Sequence, residues 1–381
     1  MILSYGGENC WCFKERAEID LQMNANVPLD ISLRLPAATA MCFRGANASG
    51  KTNGLKILAF ISLFTTESFM LAPNDNIPFQ PFFDSGKESF FHIAFTGNEA
   101  SYRYELTARR EGIIEEKLYR KDSRERLILR REGNAITINT LYKGHKDIPL
   151  RTNASIISTL HQYGLQEISD IYTSLSNFHS NVSYQGKTYQ DPYDYLSVTR
   201  YLHDNPEILE EVVGIISRFD TGIENITIRK RHEDNGKDLY IPVFHHTREG
   251  KEPFPMLYED ESNGTKRLYN TLIYYLQTIE MGGLLIFDEF DTNLHPDILP
   301  YILDMFIIKK NNRKNAQIIF TTQSNLIMDI LGRYRTYIFE KENGESICFR
   351  VDEIKSGKLR NDRPISIPYE KKLLGGVPKI E

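Results

Sequence analysis

Lys51 and Thr52 close the run Gly45-Ala-Asn-Ala-Ser-Gly50-Lys51-Thr52. The run fits G-x-x-x-x-G-K-[ST], a pattern whose chemistry is phosphate binding. Gly45 and Gly50 let the backbone turn, so that the N–H groups around Asn47, Ala48 and Ser49 face phosphate oxygens. Lys51 places a cation on the β- and γ-phosphates, and the Thr52 hydroxyl is a ligand for Mg²⁺. Asn53 neighbours the phosphates at the start of the next helix, with its own role open. A second cluster stands at Asp288 and Glu289, directly after the apolar run Leu284–Phe287. A buried strand delivers its terminal acids to the carboxyl edge of a sheet, where a phosphate loop also lies. There Asp288 can hold Mg²⁺, directly or through water. Glu289 can orient or deprotonate an attacking water. The alternative is a plain strand end whose acids cap the next helix; a phosphate loop in the same chain argues against it.

The flanks supply the elements such a loop needs. Residues 38–43 are a short, nearly all-apolar run, as in a buried strand. After the loop, Leu55, Leu58, Ile61 and Phe64 recur near helical spacing. Residues 1–45 read as strands, with "AEIDLQM" and "ISLRL" alternating. Residues 77–140 read as a series of short strands, and 150–220 as mainly helical. A hairpin is expected around Asn235-Gly236. From 262 onward, helices alternate with the buried runs "GGLLIFDEF", "AQIIFTTQS" and "RTYIFE", which predicts a parallel sheet.

Composition narrows the class. The 381 residues are 41% hydrophobic and 25% charged, which fits a globular chain of one large domain or two ordinary ones. A net charge of −5 gives no general attraction to nucleic acid. The four cysteines, Cys10, Cys12, Cys42 and Cys348, show no metal spacing and read as reduced thiols. No apolar run approaches the roughly 18 residues of a membrane span. The first residues lack the pattern of a signal peptide. The expected location is the cytoplasm, with no membrane partner.

Together "GANASGKTN", "ESNGTKRL", "LLIFDEFDTNLHP" and "IIFTTQS" resemble, in their order, an ABC-type ATPase. The chain is similar to the soluble branch that holds RecF, SMC-like and OLD-type proteins. The nearest likeness is to compact AAA-labelled ATPases of bacterial anti-phage defence operons of Septu and PARIS type. The tail "DRPISIPYEKKLLGGVPKI" shares it; residues 145–260 match only loosely. The resemblance implies an α/β fold: a P-loop ATPase head with a mixed sheet, a β-rich subdomain and an inserted helical lobe. It implies domains at 1–145, 146–255 and 256–381, and ATP with Mg²⁺ as cofactors. Ser262 and Gly264 look like the signature motif, which caps the γ-phosphate of ATP held by another subunit. Leu294-His295-Pro296 falls where the family has its D-loop.

Gln323 departs from the family, many of whose members carry histidine there. Glutamine can donate a hydrogen bond but cannot become cationic, so slow hydrolysis is expected. Gln80 reads either as a Q-loop residue or as an ordinary loop glutamine. The phosphate loop and Ser262 stand about 210 residues apart, longer than in a transporter ATPase and shorter than a full SMC insertion.

The implied function is an ATPase that dimerises around ATP and regulates a partner effector, a nuclease or toxin, in phage defence. The alternative is a DNA-binding repair or recombination ATPase of RecF or SMC type. The expected partners are a second copy of the chain, in a homodimer or a larger assembly of dimers, and a separate effector. Nucleic acid is left open. The basic stretch 120–134 with Arg109 and Arg110, and the stretch 358–364, could follow a phosphate backbone, but the acids interleaved in the first favour a solvated β surface. His245-His246 has no metal-ligand spacing and reads as a surface or packed pair.

Overall fold

The computed structural model describes residues 1–142, 148–183, 186–187, 194–219, 222–232, 236, 238–354 and 363–377. The chain divides into two compact units. The first comprises Met1–Lys187, Thr278–Phe290 and Phe306–Glu381; the second comprises Thr188–Gln277 and Asp291–Met305. The domain boundary expected at 145/146 falls within 143–147, outside the described residues.

The first unit is built on two sheets. In the six-stranded sheet the order is Glu345–Arg350, Thr336–Glu342, Ala40–Gly45, Gln317–Thr321, Leu284–Phe287, Phe178–Ser180. All neighbours are parallel except Glu345–Arg350, which runs antiparallel to Thr336–Glu342. Its three central strands are buried at every residue, which explains why they read as unbroken apolar runs. The fold is α/β with a mixed sheet.

The second sheet has seven antiparallel strands, in the order Ala17–Asp20, Ile2–Glu8, Ser89–Thr96, Ser101–Arg109, Gly112–Lys121, Glu125–Glu132, Ala135–Asn139. Alternate residues of Ser101–Arg109 are buried, as expected where one face meets the core. The helix Lys51–Glu67 buries Leu55, Leu58, Phe60, Ile61 and Phe64. Phe60 stands 4.6 Å from Phe91 of the second sheet and stacks on Phe64 at 5.5 Å. Such pairs add about 0.5–1.5 kcal/mol each beyond area burial. The helices Ile156–Gln162 and Ser169–Ser176 place Ile156, Ile157, Leu160, Ile171 and Leu175 in this same core. The sequence reading had grouped them with an inserted lobe.

In the second unit the helices Tyr195–Asp204 and Pro206–Arg218 pack on a three-stranded antiparallel sheet, Ile223–His232, Asp238–His246 and Phe254–Leu257. His232 pairs with Asp238, as a hairpin requires, while Asn235 of the expected turn lies outside the described residues. The helix Asn263–Met281 crosses the boundary between units at Gln277/Thr278.

One expected strand is absent. "ISLRL" alternates, yet it forms the end of the short helix Leu29–Ser32 and a turn. Leu33 and Arg34 have φ of 52° and 59°, and Pro28 and Pro36 bracket the segment, so it has no free edge to pair. Among the described residues no helix is long and apolar enough to cross a membrane.

Candidate nucleotide site

The phosphate loop leaves the strand Ala40–Gly45 and enters the helix at Lys51. The turn requires positive φ at Ala48 (62°) and Gly50 (105°). A Cβ on Gly50 would stand 2.8 Å from Ser346 Oγ and 2.9 Å from Cys12 Sγ; one on Gly45 would collide with the Phe339 carbonyl. Both glycines are therefore required by space and, with φ of 155° at Gly45 and 105° at Gly50, by backbone conformation as well.

Lys51 folds back over the loop and donates to the carbonyl oxygens of Gly45 (2.9 Å) and Ala46 (2.8 Å). Burial pulls its pKa below the usual lysine value and Arg44 adds to this, while Asp288 and Glu289 oppose it. A polyphosphate in the loop would favour the ammonium form. The Ser49 hydroxyl is buried without a hydrogen-bond partner among the described residues.

The acids converge on this loop. Thr52 Oγ1 donates to Asp288 Oδ2 at 2.8 Å, and Thr321 Oγ1 donates to Asp288 Oδ1 at 2.6 Å. Asp288 is 5% exposed. Thr321 Oγ1 also accepts from the Glu289 N–H at 2.7 Å. Glu289 has φ of 55° and is exposed at the strand end. A hydroxyl and a carboxylate side by side at the mouth of a phosphate loop form an all-oxygen donor set that fits a hard divalent cation.

Two residues of this site escaped the sequence reading. Thr321 lies within "IIFTTQS" but carried no role there; its hydroxyl fixes the Asp288 carboxylate and the backbone of Glu289. Asn181 lay in the loosely matched middle of the chain. It follows the edge strand Phe178–Ser180, donates to the Asp288 carbonyl at 3.0 Å and accepts from the Asp288 N–H at 2.7 Å. Thr321→Val is expected to lower nucleotide turnover about 10-fold or more by freeing the Asp288 carboxylate and the backbone of Glu289, whereas Thr321→Ser keeps most of it. Steady-state assays across a Mg²⁺ series check this, with an elevated Mg²⁺ requirement expected only for valine.

The remaining candidates are distributed as follows. Gln323 is exposed, two residues beyond Thr321. Gln80 is exposed and its side chain donates to Asp84 Oδ1 at 2.9 Å, turned to its own loop. Asn53 donates to Cys12 Sγ at 2.9 Å. Ser262 and Gly264 belong to the second unit. The exposed Ser262 accepts from the Thr265 N–H at 3.1 Å and so caps the helix Asn263–Met281. A Cβ on Gly264 would stand 3.2 Å from the Asn293 carbonyl, just ahead of Leu294-His295-Pro296. The buried Glu261 before Ser262 is held at 2.6 Å by His246 Nε2, and His245 Nε2 stands 2.8 Å from Thr227 Oγ1. The histidine pair is thus occupied by packing partners.

Three arginines of the basic stretch 120–134 pair with acids at the surface. Arg120 and Arg126 meet Asp122, and Arg130 meets Glu115 and Glu132. Residues 358–362 of the other basic stretch lie outside the described residues. All four cysteines are free, and among the described residues no group of three or more His, Cys, Asp and Glu side chains is placed to hold a metal ion.

A family model described as "AAA domain, putative AbiEii toxin, Type IV TA system" matches residues 41–329. Among solved structures the chain is similar to the SMC head domain from Thermotoga maritima, at 14% identity and a TM-score of 0.45, covering 92% of this chain and 98% of that one. It is also similar to the Smc head domain with an extended coiled coil bound to the C-terminal domain of ScpA, from Pyrococcus furiosus, at 12% identity and a TM-score of 0.43, covering 92% and 97%. No curated protein matches it in sequence.

Proposed function

This chain belongs to the AAA-domain family described with the putative AbiEii toxin of type IV toxin–antitoxin systems, and from that membership we propose that it binds and slowly hydrolyses ATP to control a partner effector. One observation carries the reading. Lys51, Thr52, Asp288 and Thr321 meet at a single phosphate loop, with the exposed Glu289 at its mouth.

Lys51 and the loop amides bind the phosphates. Thr52 and Asp288 would hold Mg²⁺, which neutralises charge on the β- and γ-phosphates when bound. Glu289 takes the proton of the attacking water, and Gln323 offers a neutral donor near the γ-phosphate. Ser262 and Gly264 close the site of a second copy, with the cap hydroxyl and the helix N-terminus facing the γ-phosphate. ATP then favours the paired state by mass action, and hydrolysis releases it.

The output is conformational, directed at a nuclease or toxin partner of a defence system. The family's own description, with its toxin and antitoxin, agrees with such a pairing. A DNA-binding role of RecF or SMC type is the rival, and the acid-paired arginines of residues 120–132 count against it.

A mixture of Lys51→Ala and Ser262→Arg chains tests the shared site. Each variant alone lacks turnover. Random pairing leaves one intact site in half of the dimers, so about a quarter of wild-type turnover should return. Mixing that restores nothing, despite heterodimers confirmed by sedimentation, would refute the arrangement.

A further inference from the structure

Arg44 precedes Gly45 and is 4% exposed. Its Nη1 donates to the Thr322 carbonyl at 3.1 Å and its Nη2 to Asn325 Oδ1 at 2.7 Å. The guanidinium lies 4.8 Å above the ring of Tyr369. Its Nε is buried with no partner among the described residues. The nearest acid in this chain of bonds is one step removed: Glu370 Oε1 accepts from Asn325 Nδ2 at 2.5 Å. A buried cation is costly where no carboxylate meets it. Its planar fork is suited to fixing several groups in one geometry.

Three stretches meet at this side chain. One is the entry to the phosphate loop. Another is the turn Thr322–Asn325, which carries Gln323 between Arg44's two acceptors. The third is the C-terminal segment 363–377. That segment is closed on itself by Tyr369 OH, which donates to the Gly376 carbonyl at 3.0 Å, and tied to the strand Thr336–Glu342 by the Gly376 N–H, which donates to Glu340 Oε1 at 2.6 Å. A Cβ on Gly376 would stand 3.5 Å from Gly45 Cα. Ser366 Oγ donates to Asp329 Oδ2 at 2.6 Å. Between the segment and the loop lies a cavity of about 220 Å³, lined by Ala46, Ala48 and Ser49 on one side and Gly376 and Val377 on the other.

We propose that Arg44 is a positioning residue that couples the C-terminal segment to the nucleotide site by fixing the Gln323 turn against the phosphate loop. This rests on the ATPase reading above. Coupling of this kind is reciprocal: nucleotide orders the segment, and the segment sets turnover.

The segment carries its own reporter, because Lys371 and Lys372 are exposed and open to trypsin. The test uses the full chain. Affinity for a fluorescent non-hydrolysable ATP analogue is read beside kcat and KM. Tryptic cleavage at Lys371 and Lys372 is timed with and without the analogue and Mg²⁺. In the wild type the analogue should slow cleavage at least about 5-fold, within the range that coupled networks support.

Arg44→Met and Arg44→Lys should each lower kcat about 10-fold, change affinity less than about 3-fold, and abolish the effect of nucleotide on cleavage. Lysine keeps the charge and loses the fork, so its failure assigns the effect to geometry. Glu370→Gln, away from the loop, should give a weaker form of the same pattern. Should the methionine variant not fold, the lysine and glutamine variants carry the test. The proposal is overturned if Arg44→Lys behaves as wild type, or if cleavage stays nucleotide-sensitive in the Arg44 variants. A wild type that binds the analogue but never hydrolyses ATP refutes the ATPase reading, while the cleavage arm still decides on Arg44.

Discussion

Glu289→Gln is expected to cut ATP turnover about 10²- to 10³-fold while leaving nucleotide affinity nearly unchanged. The substitution keeps size and hydrogen-bonding shape but removes the basic oxygen. The backbone hydrogen bond from residue 289 to Thr321 Oγ1, at 2.7 Å, does not involve the side chain and survives. Lys51, Thr52 and Asp288 keep their partners, so the cradle stays intact. ATP then remains bound, and the paired state accumulates. Single-turnover hydrolysis and equilibrium binding separate the two effects, and sedimentation with ATP reads the association. Near-normal turnover in this variant would place the base elsewhere. Loss of binding would make Glu289 a ligand and not a base.

The largest effect on stability should come from Arg131→Met. Arg131 and Glu116 have fully buried side chains 3.0 Å apart. Arg131 also donates to the carbonyls of Ala154 (2.7 Å) and Gly133 (2.6 Å). Glu116 Oε1 accepts from Tyr104 OH at 2.6 Å and Ser155 Oγ at 2.8 Å. The pair thus pins the start of the helix Ile156–Gln162 to the seven-stranded sheet. Removing one partner leaves the other charge buried alone, at a cost of about 3–5 kcal/mol. At about 2–4 °C per kcal/mol, the midpoint of thermal unfolding should fall by roughly 10 °C. Arg131→Met with Glu116→Leu removes both charges and should lose less than the single change. Calorimetry of the two variants decides this, and a double variant less stable than Arg131→Met would overturn it.

That arginine also shows where sequence reading stops. Arg130 and Arg131 are adjacent and look alike in "RREGN". On a strand they face opposite ways, so Arg130 reaches its surface acids while Arg131 is fully buried. A register shift between these two residues hides the alternation further. The loop Gly45–Thr52 was legible because phosphate binding needs fixed residue types at fixed spacing. Asp288 was legible because four apolar residues precede it. Asn181 was not, since it bonds Asp288 across 107 positions. Arg44 looked like a strand residue, and its partners at Thr322 and Tyr369 are set by folding alone. "ISLRL" shows the opposite error, alternation without a strand, because prolines and two left-handed residues deny it neighbours.

The order of strands in the six-stranded sheet bears on how the molecule is made. The strand that leads into the phosphate loop, Ala40–Gly45, is flanked by Gln317–Thr321 and Thr336–Glu342. Both neighbours are synthesised nearly 300 residues later. A nascent chain that has reached residue 310 carries the loop sequence with no strand on either side, and neither Thr321 nor Gln323 has yet been added. Its apolar run at 40–43 waits unpaired, a state that invites chaperones and aggregation in a fold of such long-range contacts. The pairing that frames the phosphate loop on both sides is complete only when translation has passed residue 342. A chain terminated before residue 317 therefore lacks both strands that flank the phosphate loop, together with Thr321, and the site described above is not assembled in it.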